Sequence, residues 1–445
     1  MPNKSIGETA KITPDEETMI GIGIIGLGTV GTGTYRILTE HAALIRKKTG
    51  LDLSVVRVAE IDPRKIKGKN IDKKIITPDA WELIRDERVN IVAELMGGIN
   101  PAGEFIKAAL AGKKQVVTAN KALLAEKGDE LFALARKSGC EIGFEASVCG
   151  GIPVIRAIRD GLVGNEFTGI LGILNGTSNY ILSKMTDEGI SFGEALKNAQ
   201  KQGYAEKDPT FDVEGIDAAH KLSILVRLAF ASPVTIKDIT VHGISSIDPV
   251  DIGFARDLGY KIKLLAIAKR SASGIEARVE PAMLPLTHPM SSVNGVYNAV
   301  YIVGDKVGPN LFYGKGAGSD PTGSAVVSDI VDLAKKLRST PFIPAQGLMV
   351  SGKYREAKSS PVPYYLRVMA KDMPGVLSKI SGILGDYKIS ISAVTQQGRK
   401  LSGYVPIVMV THDAPEDGLK KAKQVIDNSS FTKGQSVHIR IEEGS

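Results

Sequence analysis

The chain has 445 residues, 43% of them hydrophobic and 24% charged, a composition typical of a soluble globular protein with roughly two to four domains. No apolar run approaches the roughly 20 residues of a membrane helix, and the polar, acid-containing start matches neither a secretory nor a transit signal. The two cysteines, Cys140 and Cys149, lack metal-ligand spacing and indicate a reducing, cytoplasmic compartment. The net charge of +7 comes from scattered basic residues with only 5% aromatics, which argues against a nucleic-acid partner.

Between residues 19 and 150, strand-like apolar runs alternate with amphipathic helical runs. The strand-like runs are MIGIGII, LDLSVVRVAEI, VNIVAELMG, KQVVTAN and CEIGFEAS. This alternation predicts an α/β fold in which a parallel, doubly wound sheet carries helices on both faces. We therefore predict one domain over residues 19–150, preceded by a flexible tail at residues 1–18.

The pattern changes after Gly150. Residues 151–320 mix helical runs, such as IPVIRAIRDGLVG and DAAHKLSILVRLAF, with turn-rich strand-like segments, which predicts a second, mixed α/β domain. The helical run at 321–340 is expected to return to the first domain, and the Pro-, Gly- and Ser-rich residues 341–362 are expected to form a linker. Residues 363–441 follow the order strand, helix, strand, strand, helix, strand, which is that of a ferredoxin-like domain.

The stretch GLGTVG directly follows the first strand and opens a helix. In this context GxGxxG spacing indicates a dinucleotide-binding, Rossmann-type domain. Gly26 permits a tight turn, Gly28 lets a pyrophosphate approach the backbone, and Gly31 allows the helix to pack closely on the strand. The N-terminus of the helix then attracts the anion. The predicted cofactor loop is Gly26, Leu27, Gly28, Thr29, Val30 and Gly31.

The second strand ends in VAEIDPRK, and this ending leaves the choice of cofactor open. Glu60 or Asp62 could accept hydrogen bonds from the ribose hydroxyls, which favours NAD. Arg64 and Lys65 could contact a 2′-phosphate, which favours NADP. A solvated loop without cofactor contact explains these residues equally well.

Two lysines are candidates for the chemistry. Lys121 follows an apolar strand, at the edge where open parallel sheets bind ligands, although a surface lysine at a helix start is the alternative. Lys221 lies four residues after Asp217, hence on the same face of a helix. The apolar run behind Lys221 predicts burial, which requires charge partners and lowers the pKa of a lysine, whereas Asp217 opposes that shift. Glu206 in the preceding loop could bind an ammonium group, and a surface ion pair beside an acidic loop is the alternative.

A set of stretches resembles the homoserine dehydrogenase family. They are GLGTVG, ELMGG, TANKALL, FEASVCGGIPVI, ILNGTSNYIL, GYAEKDPTFDVEGIDAAHKL and YGKGAGSDPTGSAVVSDI, and they occur in the family's order over residues 19–340. The segment YYLRVMAKDMPGVLSKISGILGDYKISISAVTQQG resembles an ACT domain, a regulatory module of amino-acid metabolism. Only a short tail precedes the dehydrogenase-like part, as in the monofunctional form of the family.

This resemblance implies reversible oxidation of L-homoserine to L-aspartate 4-semialdehyde with NADP or NAD, a step in threonine, methionine and isoleucine biosynthesis. It implies that Lys221 is the acid–base residue and that Lys121 is its partner at the substrate and the nicotinamide. The implied substrate-binding residues are Glu206, Asp217, Asp212, Thr177 and Tyr204. The implied further cofactor contacts are Gly97, Thr118, Lys121 and Gly318. Asp320, which Pro321 follows, suits the start of a helix and predicts a cap there.

The FEASVCGGI stretch resembles the family's monovalent-cation site. It implies a sodium ion bound by the Glu145 carboxylate and by the carbonyls of Val148, Gly150 and Ile152. The ACT-like segment implies threonine or another pathway amino acid as an effector, with a ligand-free dimerisation or spacer domain as the alternative. We expect a homodimer or a homotetramer.

Two departures from the family pattern matter. Ile61 stands nearest to the position where members that prefer NADP often carry an arginine, and Lys388 stands where amino-acid-binding ACT domains often have Asn. Two other functions also stay open at this point. One is another NAD(P)-dependent amino-acid reductase, such as an aspartate dehydrogenase-like enzyme. The other is a non-catalytic amino-acid sensor, against which the intact glycine loop and both lysines argue.

Overall fold

The computed structural model describes residues 19–339, 354–357, 359–396 and 403–443. The predicted tail at residues 1–18 and residues 341–353 and 358 of the predicted linker lie outside the described residues. No helix within the described ranges has the length and apolar character to cross a membrane.

Helices and strands alternate through most of the described chain and are numbered here in chain order. The helices are α1 Thr29–Glu40, α2 Ala42–Thr49, α3 Pro63–Ile66, α4 Ala80–Arg85, α5 Ala102–Ala111, α6 Lys121–Ser138, α7 Val154–Arg156, α8 Gly176–Glu188, α9 Phe192–Lys201, α10 Thr210–Val213, α11 Ile216–Phe230, α12 Pro249–Asp257, α13 Ser319–Arg338, α14 Val376–Asp386 and α15 Glu416–Asp427. The strands are β1 Met19–Ile25, β2 Asp52–Ala59, β3 Ile76–Thr77, β4 Ile91–Glu94, β5 Gln115–Thr118, β6 Ile142–Gly143, β7 Phe167–Ile173, β8 Thr240–Val241, β9 Tyr260–Ser271, β10 Gly274–Pro285, β11 Tyr297–Gly304, β12 Gly308–Lys315, β13 Tyr364–Lys371, β14 Ile391–Gln396, β15 Tyr404–Thr411 and β16 Val437–Ile441.

The first compact unit contains β1 to β6 and also α13. Its six strands are all parallel, in the order β3-β2-β1-β4-β5-β6. This is the order of a doubly wound dinucleotide-binding sheet, so the α/β prediction is confirmed. Helix α13 contributes Val326, Ile330 and Leu333 to the core that also holds Ile22 and Ile24 of β1.

Strand β6 is shorter than the predicted strand CEIGFEAS, because α13 packs against its end. A Cβ on Gly143 would lie 2.8 Å from the Cβ of Asp329. The Asp329 carboxylate also accepts a hydrogen bond from the Glu145 backbone N–H at 2.8 Å. The chain therefore leaves the sheet after Gly143 and forms a 3₁₀ turn over Glu145–Ser147.

The second compact unit is built on a ten-stranded sheet. Its strands run β12-β11-β7-β9-β10-β16-β13-β15-β14, and β8 pairs with β10 off this path. The elements from β13 to β16 follow the predicted βαββαβ order. Strand β16 pairs in parallel with β10 at Ala282–Arg440 and Met283–Ile441 and antiparallel with β13. The ferredoxin-like part therefore continues the sheet of β7 and β9 to β12 instead of forming a separate one.

The stretch from Gly203 to Leu225 differs in part from its prediction as a loop followed by a helix. The helix is present as α11, which begins after Gly215 in a left-handed conformation with φ +82°. The loop, however, contains the single helical turn α10, since the backbone N–H groups of Asp212 and Val213 both donate to the Pro209 carbonyl. Proline at such a position does not disturb the turn, because its missing N–H is not needed there.

A buried ion pair connects the ferredoxin-like part to helix α12 of the preceding part of the second unit. Asp251 of α12, only 1% exposed, accepts two hydrogen bonds from the Arg367 guanidinium of β13, at 2.6 and 2.8 Å. The Tyr365 hydroxyl donates to the same carboxylate at 2.7 Å. A bidentate pair of this kind is both strong and directional. It holds β13 against α12 in one orientation.

Arg367→Met is expected to destabilise the second unit, because it leaves the buried Asp251 carboxylate without its cation. Removal of one partner of a buried pair costs about 3 kcal/mol or more of unfolding free energy. Differential scanning calorimetry should show a lower melting temperature for the variant. Lys184→Met, which breaks the exposed Lys184–Glu188 pair on α8, is the control and should leave the melting temperature unchanged. Equal melting temperatures for wild type and R367M would contradict the expectation.

Candidate active site

The glycine loop of the first unit has the geometry of a phosphate site. Gly26 lies at φ +95°, a conformation that favours glycine. A Cβ on Gly31 would come within 1.9 Å of the Gly26 carbonyl oxygen, so α1 approaches the loop as closely as a glycine permits. Around Gly28, in contrast, no heavy atom lies within 4 Å of an added Cβ. Gly28 therefore borders open space at the N-terminus of α1, where a pyrophosphate can approach.

Glu60 holds the glycine loop. Its carboxylate is 7% exposed and accepts hydrogen bonds from the Leu27 N–H at 2.7 Å and the Asp62 N–H at 2.9 Å. Asp62 caps α3 and pairs with Arg64, which is 89% exposed. The hydrogen-bonded Arg64 side chain holds the pKa of Asp62 low, at about 2. Both candidate acids are thus engaged by the protein, while Arg64 and Lys65 reach into solvent.

Lys69 is a loop residue that sequence reasoning did not single out. Its ammonium donates to the Leu27 carbonyl at 3.0 Å and to the Thr32 hydroxyl at 2.6 Å. Burial lowers the pKa of Lys69. In the sequence it is one of several lysines in RKIKGKNIDKK, and nothing local distinguishes it from its solvated neighbours.

The ends of β4 and β5 meet at the carboxyl edge of the same sheet. Glu94, fully buried, accepts hydrogen bonds from the Thr118 hydroxyl at 2.7 Å and from the Gly97 N–H at 3.2 Å. Burial raises the pKa of Glu94. Asn120 caps α6 through the Leu123 N–H at 3.2 Å, and Lys121 is the first residue of that helix. Three of the predicted residues, Gly97, Thr118 and Lys121, therefore lie at the edge where this fold binds ligands.

The loop before α13 differs slightly from its prediction. The N-cap of α13 is Gly318, at φ +124°, and Asp320 lies in the first helical turn. Asp320 forms an ion pair with Arg36 of α1 instead of acting as the cap. Gly33 of α1 and Gly323 of α13 are the residues at which the two helices come close, since a Cβ on Gly33 would lie 2.1 Å from the Ser319 carbonyl oxygen.

In the second unit, Lys221 occupies a buried polar site. It is 9% exposed, and its ammonium donates to Asp217 at 2.7 Å and to the Leu174 carbonyl at 2.6 Å. Burial lowers the pKa of Lys221, but its electrostatic interactions with Asp217, Cys149 and Asp212, those with the carboxylate of Asp217 before the others, outweigh burial, so the pKa lies above its usual value. Of the two opposing effects expected from the sequence, burial and the charge of Asp217, the charge prevails in these surroundings. In the absence of a ligand, Lys221 is an ammonium at neutral pH.

Other predicted substrate residues lie in the same unit as Lys221. The Thr177 hydroxyl donates to the Tyr204 carbonyl at 2.7 Å, which ties the start of α8 to the segment before α10. Burial raises the pKa of Asp212. Glu206 lies in the same segment as Tyr204 and is exposed. The structure thus offers the buried Asp217 carboxylate at the Lys221 ammonium and the accessible Glu206 carboxylate in the segment that Thr177 contacts.

Asn175 is the residue of this site that sequence reasoning missed. Its side-chain amide donates to Asp212 at 2.7 Å and to Asp217 at 2.8 Å. Its side-chain oxygen accepts from the Ser178 N–H at 2.8 Å and caps α8. The sequence signal was a good N-cap residue just before GTSN, and this signal predicts a helix start but no link to two carboxylates.

The four residues predicted to bind a cation, Glu145, Val148, Gly150 and Ile152, are all buried. Val148, Gly150 and Ile152 are part of a turn in which Cys149 and Gly150 both have positive φ, +55° and +51°. No backbone N–H of the described residues donates to the carbonyl of Val148 or Gly150, and the Ile152 carbonyl accepts from the Val154 N–H. Glu145 is 3% exposed. Such carbonyls suit a hard monovalent cation, and among the described residues no cluster of three or more His, Cys, Asp or Glu could hold a metal ion.

Comparison with known proteins defines the class first. Family models match residues 26–145 as "Homoserine dehydrogenase, NAD binding domain", residues 153–331 as "Homoserine dehydrogenase" and residues 364–429 as "ACT domain". Together with the doubly wound sheet and the glycine loop, these matches define an NAD(P)-binding oxidoreductase with an ACT domain. The chain belongs to the homoserine dehydrogenase family.

Individual relatives support this assignment over nearly the whole chain. The homoserine dehydrogenase of Pseudomonas aeruginosa is 41% identical over 431 residues, which cover 95% of this chain and 99% of that protein. The crystal structure of a homoserine dehydrogenase from Thiobacillus denitrificans matches with a TM-score of 0.90 and 42% identity, covering 96% of this chain and 98% of that chain. A hyperthermophilic archaeal homoserine dehydrogenase in complex with NADPH matches with a TM-score of 0.62 and 27% identity, covering 73% of this chain and all of that chain (100%). An aspartate dehydrogenase-like reductase and a non-catalytic sensor are therefore not favoured.

Gly28→Ala is expected to weaken cofactor binding without unfolding the protein. The backbone at Gly28 has φ −64°, which alanine adopts readily, and the added methyl meets no protein atom within 4 Å. The methyl does occupy the space through which a pyrophosphate approaches, so the KM for NAD(P) should rise about tenfold. Gly193→Ala, at an equally open position in α9, is the control and should bind the cofactor normally. An unchanged KM in G28A would place the pyrophosphate elsewhere.

Proposed function

We propose that this chain interconverts L-homoserine and L-aspartate 4-semialdehyde with NADP or NAD, and that Lys221 is its general acid–base residue. The observation that carries the proposal is the buried Lys221 ammonium, held by Asp217 and the Leu174 carbonyl on one side of α11. The domain limits proposed above, residues 19–150, 151–320 and 363–441, stay a prediction.

The proton chemistry follows from the charge state of Lys221. In the direction of aldehyde reduction, the ammonium donates a proton to the oxygen as the carbonyl carbon gains a hydride. In the direction of alcohol oxidation, the neutral amine must remove the hydroxyl proton, and the raised pKa of Lys221 makes this step more favourable at alkaline pH. When bound, the nicotinamide cofactor accepts or supplies the hydride. Lys121 is the second amine that we assign to the substrate.

Substrate recognition is proposed to use opposite charges. Glu206 is exposed, so its carboxylate is accessible to the ammonium group of homoserine. Asp212 and Asp217 are already hydrogen-bonded to Asn175, and we assign them to orienting the site and contacting the polar end of the substrate. The Thr177–Tyr204 hydrogen bond would keep the two walls of this site at a constant separation.

The cofactor preference is proposed to depend on the exposed basic pair that follows β2. Arg64 is 89% and Lys65 50% exposed, and both can move to meet a 2′-phosphate. The Glu60 carboxylate, which repels a phosphate, is already bound to Leu27 and Asp62. The loop is therefore compatible with NADP as well as NAD.

A sodium ion is proposed for the carbonyls of Val148, Gly150 and Ile152 together with Glu145. The support is the buried turn with two carbonyls that accept no backbone hydrogen bond from the described residues. Bound there, the ion would hold the turn that contains Cys149, a residue whose thiol influences the pKa of Lys221.

The ACT domain suggests regulation by an amino acid, and we propose threonine as the first effector to test. We also propose a homodimer or homotetramer. The ten-stranded sheet ends in β12 on one side and β14 on the other. Open strand edges pair readily with a second subunit, and β12 additionally exposes Leu311 and Tyr313.

Lys221→Ala is expected to lower kcat by about 10² or more, because the general acid–base group is lost. Homoserine oxidation with NAD and with NADP, followed as reduced cofactor at 340 nm, measures this loss. Lys221→Arg keeps the cation and the ion pair but does not titrate, so it should be equally impaired. Fluorescence titration with NADPH should remain as in wild type. A fully active K221A enzyme would remove Lys221 from the mechanism.

Millimolar threonine is expected to inhibit homoserine oxidation if it binds the ACT domain, since allosteric coupling typically amounts to about 1–3 kcal/mol. Initial rates with and without threonine, and with serine as a control, measure this coupling. An unchanged rate with threonine would refute threonine inhibition and favour a structural role for the domain.

A further inference from the structure

Asn175 occupies a connecting position in the Lys221 site. It is 6% exposed, and it lies between the end of β7 and the start of α8. Its side-chain oxygen accepts from the Ser178 N–H, a group that can only donate, so this bond orients the amide. The two amide hydrogens then point the other way, toward Asp212 at 2.7 Å and Asp217 at 2.8 Å.

The two carboxylates need such a donor. Asp217 is 2% exposed, and the charge of Asp217 is among the causes that raise the pKa of Asp212. Two partly desolvated carboxylates repel each other unless a donor or a cation lies between them. Lys221 contacts only the Oδ2 atom of Asp217 at 2.7 Å, and Asn175 contacts the same oxygen while also reaching Asp212.

Asn175 and Lys221 are linked a second time through the backbone. The Lys221 ammonium donates to the carbonyl of Leu174, the residue directly before Asn175, at 2.6 Å. A shift of Asn175 therefore moves both oxygens to which Lys221 is hydrogen-bonded. This geometry couples the N-cap of α8 to the position of the reacting amine.

We propose that Asn175 is a positioning residue: its amide bridges Asp212 and Asp217 and thereby holds Asp217 on the Lys221 ammonium in the orientation that proton transfer requires. This inference rests on the proposed acid–base role of Lys221. It assigns a second function to a residue whose local pattern indicates only a helix cap.

Two substitutions separate the bridge from the cap. Asn175→Ser and Asn175→Asp both retain an oxygen that can accept from the Ser178 N–H, and serine and aspartate cap helices about as well as asparagine. N175S replaces the two amide hydrogens by a single hydroxyl donor on a shorter side chain, so it cannot bridge both carboxylates. N175D replaces the donor by a third carboxylate, which repels Asp212 and Asp217. Ser191→Asp, at the exposed cap of α9, is the matched control for a change of cap residue.

The expected effects fall on kcat and on its pH profile. N175S should lower kcat about tenfold, and N175D about a hundredfold, with less change in the KM for NADP. The titratable groups that face Lys221 are Asp217 on its own helix, Asp212 of α10 and the Cys149 thiol. Because N175D adds a further negative charge, it should raise the pKa of Lys221 and shift the profile for homoserine oxidation to higher pH.

The outcomes are distinguishable. Reduced kcat in both variants, an alkaline shift in N175D, normal NADPH titration and wild-type behaviour of Ser191→Asp would support the inference. Wild-type kcat and pH profile in N175S and N175D would overturn it. A lower kcat that is accompanied by a lower melting temperature in both variants, with an unchanged pH profile, would also overturn the inference. Asn175 would then act as a helix cap alone. No turnover of homoserine by the wild-type enzyme would instead refute the proposed function.

Discussion

A buried ammonium needs negative or polar partners, and this requirement shapes the second unit of the protein. Lys221 is held within a largely buried helix, where an unpaired charge would be costly. Asp217 lies one helical turn before it and supplies the counter-charge. The Leu174 carbonyl becomes available because β7 ends there and α8 has not yet begun. The contacts of Lys221 therefore require the β7–α8 junction to pack against the start of α11.

The same requirement gives the site its chemical character. A lysine in apolar surroundings loses its proton easily, whereas one beside several carboxylates keeps it. Here the carboxylates outweigh burial. The balance can change when a zwitterionic substrate arrives, because its own charges enter the same small volume. The protein thus keeps a charged resting state whose proton affinity depends on what is bound.

Much of the fold could be predicted from the sequence, because its signals are local. The glycine loop, each strand or helix of the alternating pattern, and the i, i+4 pair of Asp217 and Lys221 are each defined by residues close together in the sequence. The misses are long-range. Strand β6 is cut short by Asp329, which bonds to Glu145 across 184 positions of sequence. Lys69 reaches Leu27 across 42 positions, and nothing in its basic neighbourhood marks it.

The site shows the same division between local and distant information. The cap role of Asn175 follows from its neighbours, but its two carboxylate partners lie 37 and 42 residues away. Glu60 was a reasonable ribose ligand by position, yet the fold brings the Leu27 N–H to the same carboxylate. The net direction of the pKa shift at Lys221 likewise depends on Asp212 and Cys149, whose proximity the sequence does not display.

The position of β16 has a consequence for how the chain acquires its structure. This strand, close to the carboxyl end of the described residues, inserts between β10 and β13. Until β16 is synthesised, the part of β10 that it covers, at Ala282 and Met283, lacks this neighbour. An uncovered strand edge pairs readily with other molecules. The pairing also has high contact order, which slows folding. We therefore expect the nascent enzyme to depend on chaperone protection until β16 emerges from the ribosome.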